Sequence, residues 1–328
     1  MFNQNLLKRL EAGLRRALPA WGLENSVPLA LLNISENATY LAEDPRSAKK
    51  LILRVHRPDY HTAAEIRSEL AWIADLAVND VVRTPPPIPS TYGGFVVSFS
   101  DRELLRHAVA FEYMPGTEPD TTSDLVKWYG RLGEITARLH NHSRTWRRPE
   151  GFVRKNWVFE TLIGDAAHWG DWRNAPGLEK NGLKVLERTH ACLAEHTAAY
   201  GHGTDRFGLI HSDMRTANLL VDGDRLGVID FDDCGLSWFA YDFAASITFM
   251  EHEPFIPDLM GAWLEGYRKT SPLAKEHADA LPMFVMIRRM QIGAWLASHA
   301  ETPTAQAMGL NYTRSTVELA ERYLSEHS

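Results

Sequence analysis

The stretch Leu209-Ile-His-Ser-Asp-Met-Arg-Thr-Ala-Asn-Leu-Leu-Val221, followed by Val228-Ile-Asp-Phe-Asp-Asp233, decides how the rest of the chain is read. In the first segment an Asp and an Asn lie five positions apart, in a polar loop between two apolar pieces. Asx side chains cap local backbone in many loops, so that spacing alone says little. In the second segment Asp230 ends a short strand-like run, and Asp232 and Asp233 follow it. Packing alone does not favour three carboxylates at a strand end. The ordered pair of segments has the make-up of a phosphoryl-transfer site. One carboxylate takes the proton of an attacking hydroxyl, and an amide with a second carboxylate holds Mg²⁺ against nucleotide phosphates.

Upstream of this stretch, residues 27–32, 38–42 and 51–55 are short apolar or β-branched runs that predict a small antiparallel sheet. Ile66, Leu70, Ile73, Ala74 and Ala77 share one face of a helix predicted over 61–78. Thr84-Pro-Pro-Pro-Ile-Pro89 stops any helix, and strands are expected at 94–98 and 108–114. Pro115 and Gly116 end the last of these, and residues 116–120 are the expected boundary between two lobes. Beyond it, helical periods predominate, at 121–142, 181–199, 239–250, 257–269, 277–299 and 304–325. Strand-like pieces lie at 209–210, 218–221 and 226–229.

The chain has 328 residues, 45% of them hydrophobic and 23% charged, enough for a large core and a solvated surface, which excludes disordered and fibrous classes. Its 42 acidic and 35 basic residues give a net charge of −7, which argues against a nucleic-acid partner. Two distant cysteines, Cys192 and Cys234, offer neither a disulfide framework nor a zinc site, as expected in a reducing cytosol. No apolar run approaches the roughly 20 residues of a membrane span. Leu6, Leu10, Leu14 and Leu18, interleaved with charges, predict an amphipathic helix packed on the fold. A cytoplasmic monomer or homodimer is expected, with no membrane partner.

Taken with Ser35-Glu-Asn-Ala-Thr-Tyr40, Leu53-Arg-Val-His-Arg-Pro58 and Tyr241-Asp-Phe-Ala244, the sequence resembles the aminoglycoside phosphotransferase and choline kinase family. That family is the small-molecule branch of the protein-kinase-like fold, and the likeness is to its homoserine-kinase-type and stress-response-kinase-type members. The resemblance implies an α+β, bilobal protein-kinase-like fold. Residues 1–115 would form an N-lobe of antiparallel sheet with one main helix, and residues 116–328 a mostly α-helical C-lobe, with ATP and Mg²⁺ as cofactors. It implies that Asp213 is the catalytic base, that His211 braces the loop, and that Asn218 and Asp230 are the metal ligands. Asp242 would tie that loop to the helices behind it. The loop 33–38, with Ser35, would cover the ATP phosphates, and Phe111-Glu-Tyr-Met114 would present main-chain groups of Glu112 and Met114 to adenine.

Three departures stand out against the family pattern. The third-strand lysine that contacts phosphates is replaced by Arg54 or else lies elsewhere; Glu69 would be the ion-pair partner of Arg54, with Glu65 as the competitor. Ser212 stands where the family often has glycine. Asp232 stands where a protein kinase has the glycine of its Asp-Phe-Gly.

Only eleven residues separate Asp230 from Asp242, and no Ala-Pro-Glu follows, so the chain lacks the long activation segment with which a protein kinase docks peptides. A small-molecule hydroxyl acceptor is expected. Its pocket would draw on Asp232, Asp233 and Trp238, with Tyr241, Glu251, Glu253, Trp263, Tyr267 and Trp295 nearby, and carboxylates with aromatic faces suit a cationic amine. Arg288 and Arg289 would add a site for a carboxylate. The expected acceptor is therefore an amino alcohol or a hydroxy amino acid such as homoserine or hydroxylysine. Two alternatives stay open: a protein serine/threonine kinase of the stress-response type, and a non-catalytic nucleotide-binding protein, for which Arg54 speaks.

Overall fold

The computed structural model describes residues 4–34, 37–120 and 124–327. The chain forms two compact units, Met1–Gly116 with Arg147–Arg154, and Thr117–Trp146 with Lys155–Ser328.

The first unit runs α1 (Gln4–Ala17), β1 (Leu29–Ile34), β2 (Ala38–Glu43), β3 (Lys50–Val55), α2 (Ala63–Val78), β4 (Pro87–Ile88), β5 (Val97–Asp101) and β6 (Leu104–Glu112). The strands make an antiparallel sheet in the order β1-β2-β3-β6-β4, with β5 also paired to β6. Alternation places Ala38, Tyr40 and Ala42 of β2, and Leu51, Leu53 and Val55 of β3, in one core with Leu10 and Leu14 of α1. The leucine stripe of α1 is thus buried against the sheet, as its spacing predicts. A Cβ on Gly13 would fall 2.3 Å from the Phe99 ring, so the glycine lets α1 approach β5. Helix α2 begins at a capping box in which Thr62 and Glu65 satisfy each other's backbone N–H. The returning segment Arg147–Arg154 docks on this helix: Val153 N–H donates to Ser68 Oγ at 2.9 Å, and Arg154 Nη1 to the Glu65 carbonyl at 3.0 Å.

The second unit runs α3 (Leu125–Thr145), α4 (Phe159–Leu162), α5 (Lys180–Tyr200), β7 (Phe207–Ile210), β8 (Leu219–Asp222), β9 (Arg225–Val228), β10 (Gly235–Trp238), α6 (Tyr241–Ser246), α7 (Ile256–Thr270), α8 (Lys275–Asp279), α9 (Leu281–Ser298) and α10 (Pro303–His327). Two small antiparallel pairs interrupt the helices. Strand β7 pairs with β10, with Ile210 opposite Gly235, and β8 pairs with β9, with Leu219 opposite Val228. Their registers set the loops 211–218 and 229–234 side by side, since Ile229 N–H donates to the Asn218 carbonyl at 2.9 Å.

Some expectations need correction. Asp230 does not end a strand, because β9 stops at Val228. The helix expected over 239–250 is only α6, and the one over 277–299 divides into α8 and α9 near Pro282, which sits in the first turn of α9. Strands β4 and β10 were not anticipated.

Candidate active site

Strand β7 delivers His211 into the core, fully buried. Its Nδ1 accepts from the Asp213 N–H at 3.2 Å and its Nε2 donates to the Ile229 carbonyl at 3.2 Å. Burial holds this imidazole below its ordinary pKa, despite the nearby carboxylates, so it is neutral and carries its proton on Nε2. One ring therefore joins the Asp213 loop to the Asp230 loop.

Asp242 anchors the same loop from behind. Its carboxylate accepts the backbone N–H groups of Ser212 at 2.7 Å and His211 at 3.3 Å, and the Nε2 proton of His140 at 3.0 Å. His140, on α3, is itself fully buried and takes a hydrogen bond from the Tyr267 hydroxyl at 3.0 Å. Burial lowers its pKa as well, with Asp242 opposing the shift. To present both N–H groups to one carboxylate, Ser212 adopts a left-handed conformation, φ 71°.

The Asp213 carboxylate is held by three donors. Arg288 Nη2 reaches Oδ1 at 2.8 Å, while Asn218 Nδ2 and Arg215 Nε reach Oδ2 at 2.8 and 3.3 Å. Asn218 also donates to the Asp213 carbonyl at 2.8 Å. Its amide donors are thereby directed at Asp213, which leaves the Asn218 Oδ1 as an acceptor. Asp230 is exposed and has φ 63°, a conformation uncommon for a residue with a Cβ and concentrated at functional sites. An amide oxygen and a carboxylate are hard donors of the kind Mg²⁺ takes, so the residues present fit the metal.

The remaining expected site residues divide. In the first unit Arg54 pairs with Glu69 at 2.5 Å, both buried, with its guanidinium 5.3 Å from the Phe111 ring centre. Glu65 is engaged in the capping box instead, which resolves the choice between the two glutamates. Glu112 ends β6 with its N–H on the Pro86 carbonyl at 3.0 Å, and Met114 follows it, half-buried. Ser35 lies outside the described residues.

In the second unit Asp232 is buried and Asp233 half-buried, the Asp233 carbonyl accepting from Trp157 Nε1 at 2.8 Å. Burial pushes the Tyr241 hydroxyl up to about 12, and the charges of Asp213 and Asp233 add to that. Around Arg288 burial works against the charge, yet Tyr241, Asp213 and Asp233 outweigh it and hold the guanidinium above its ordinary value. These four groups share one electrostatic environment.

Trp238 does not belong to an acceptor pocket. It is fully buried, donates its indole N–H to the Gly201 carbonyl at 2.7 Å and packs on Phe207 and Phe284. Glu251, Trp263 and Tyr267 are core groups too. Glu251 binds Arg289 at 2.6 Å, and both are fully enclosed. Arg289 also reaches Thr316 Oγ1, the Tyr312 carbonyl and Ser315 Oγ, so it is structural and not a ligand group. Sequence reading missed Arg215, His140 and Trp169, whose ring centre lies 5.3 Å from the Arg288 guanidinium. Only Arg215 carried a signal, its place inside the Asp213 loop.

Comparison with known proteins agrees with this geometry. The phosphotransferase enzyme family matches residues 31–273. The solved structure of a microcompartment-associated aminopropanol kinase is 41% identical, covers 96% of this chain and 97% of that one, and superposes with a TM-score of 0.89. Amicoumacin kinase of Bacillus subtilis (strain 168) is 21% identical over 273 residues, 79% of this chain and 77% of its own. Homoserine kinase of Rhodopseudomonas palustris (strain BisA53) is 28% identical over 252 residues, 76% of this chain and 72% of its own. A buried loop built around Asp213, a sheet-rich first unit and a mostly helical second one are thus those of a protein-kinase-like fold, and the chain belongs to the phosphotransferase enzyme family as a kinase of small-molecule hydroxyl groups.

Proposed function

We propose that this kinase transfers the γ-phosphoryl group of ATP, with Mg²⁺, to the hydroxyl of a small amino alcohol. One observation carries the choice of acceptor. Arg288 and Arg289, the cations that would recognise the carboxylate of a hydroxy amino acid, are both engaged by protein acceptors. An acceptor with an amine and a hydroxyl but no carboxylate needs neither. The 41% identical aminopropanol kinase supports the same reading.

In this mechanism Asp213 orients the acceptor hydroxyl and takes its proton. The acceptor oxygen bonds to the γ-phosphorus as the bond from that phosphorus to the β,γ-bridging oxygen breaks, and ADP leaves. Asn218 Oδ1 and the Asp230 carboxylate would hold Mg²⁺, which would supply positive charge to offset that of the phosphates. Arg54, kept in place by Glu69, and the segment Glu112 to Met114 take the nucleotide. Asp232 and Asp233 supply the negative charge that an acceptor ammonium requires.

The test is ADP release with Mg·ATP over a panel: 1-amino-2-propanol, ethanolamine, homoserine, hydroxylysine, an aminoglycoside and an unfolded polypeptide. An amino alcohol should exceed the hydroxy amino acids in kcat/KM by at least about tenfold. A preference for homoserine, hydroxylysine or polypeptide overturns the assignment of acceptor.

A further inference from the structure

The three donors on Asp213 constrain where an acceptor hydroxyl can bind. A carboxylate offers about four lone-pair sites, two on each oxygen. Among the described residues, Asn218 and Arg215 both donate to Oδ2, whereas Arg288 alone donates to Oδ1. Counted over these donors, the lone pair that an acceptor hydroxyl can take is on Oδ1, beside the Arg288 guanidinium.

Arg288 is itself held on its other edges. Its Nε donates to Thr248 Oγ1 at 3.0 Å, and the Thr248 hydroxyl points its own proton at the Ala245 carbonyl at 2.7 Å. Its Nη1 donates to the Tyr241 hydroxyl at 3.2 Å, and that hydroxyl donates onward to Gln291 Oε1. Every proton in this chain of contacts has one direction. Trp169 lies against the guanidinium, and the Arg288 side chain is 3% exposed. A planar fork fixed at Nε and Nη1 has its Nη2 fixed as well, and Nη2 is the atom that meets Asp213.

We infer that Arg288 is a positioning residue: it fixes the Asp213 carboxylate so that Oδ1, not Oδ2, receives the proton of the acceptor hydroxyl. This rests on the reading of Asp213 as the base. Arg288 here acts through Asp213 and is not a recognition group for the acceptor. A lysine at this place cannot reproduce the effect, because its compact ammonium does not span Thr248, Tyr241 and Asp213 together.

The experiment compares full-length wild type, Arg288→Met, Arg288→Lys, Thr248→Val and Asp213→Asn with Mg·ATP and 1-amino-2-propanol, recording kcat, both KM values and the melting temperature. Arg288→Met should lower kcat about 100-fold while the KM for ATP stays within about twofold. Added methylguanidine should restore part of that kcat, and Arg288→Lys should remain impaired. Thr248→Val keeps the charge but frees Nε, and should lower kcat by about three- to tenfold with both KM values unchanged. If Arg288→Met does not fold, Thr248→Val decides alone.

A kcat within about twofold of wild type in every folded Arg288 and Thr248 variant overturns the inference. So does a raised acceptor KM at unchanged kcat, which would make Arg288 a binding group. If Asp213→Asn itself keeps wild-type kcat, the base assignment fails; if only Asp213→Asn is impaired, the base stands and the role of Arg288 falls.

Discussion

Ser212 shows how a single backbone angle serves the site. At φ 71° its N–H and that of His211 both reach Asp242, and its side chain is buried. The left-handed conformation costs a residue with a Cβ about 1 kcal/mol, and glycine avoids that cost. Ser212→Gly should therefore hold or raise stability, by up to about 1 kcal/mol, and keep activity, whereas Ser212→Val should lose about 2 kcal/mol or more. Urea unfolding of both variants checks this, and equal losses in the two would count against a backbone cause. At this scale the meeting of Asn218 with Asp213, and of their loop with the one that carries Asp230, was legible because the spacing within two short segments is local. The pairing of Arg54 with Glu69 was legible with Glu65 as its competitor, until the capping box at Thr62 accounted for Glu65. The partner of Arg288 was not legible: 75 positions separate it from Asp213, and nothing in the pattern of α9 marks it.

At the scale of elements, α3 and α7 approach closely, and glycines set their distance. A Cβ on Gly266 would fall 1.9 Å from the Gly130 carbonyl oxygen, and one on Gly133 would fall 2.1 Å from that of Trp263. Both obstacles are backbone and cannot swing aside. Gly130 differs, since its Cβ would meet only the Ala262 carbonyl, at 3.8 Å. Gly133→Ala and Gly266→Ala should each destabilise by about 3 kcal/mol or more, while Gly130→Ala should be neutral or gain up to about 1 kcal/mol from helix propensity. Thermal melts of the three variants test the geometry, and a stable Gly266→Ala would contradict it. The consequence reaches the site, because α3 carries His140 and α7 carries Tyr267, the pair behind Asp242.

Helical periodicity located most of these elements, since amphipathic faces repeat every few residues. It failed where the period is hidden or absent. In α9 most positions are buried, so no polar face marks its start at Leu281. Strand β10 reads Gly-Leu-Ser-Trp, too short and too mixed to declare itself, and β4 is a proline and an isoleucine.

For the whole molecule, the net negative charge is only partly relieved at the site. The chain carries −7, yet Arg215 and Arg288 both sit against Asp213. Their two positive charges offset only part of the negative charge of Asp213, Asp230, Asp232 and Asp233 in the two loops. The kinase-like class was legible because its motifs are short and ordered along the chain. The choice between an amino alcohol and a hydroxy amino acid was not, because Arg288 and Arg289 look like a carboxylate site in one dimension and become interior ion pairs in three. The return of Arg147–Arg154 to the first unit likewise carries no pattern of its own.

The central claim, that Asp213 is the base of a small-molecule kinase, is tested most directly by the steady-state rate of Asp213→Asn. The measurement uses Mg·ATP and the amino alcohol that the wild type phosphorylates best, with melting temperature and ATP binding followed in parallel. The expected result is a fall in kcat of about 10²- to 10⁴-fold, with folding and nucleotide affinity retained. An Asp213→Asn variant that turns over at the wild-type rate would contradict the account.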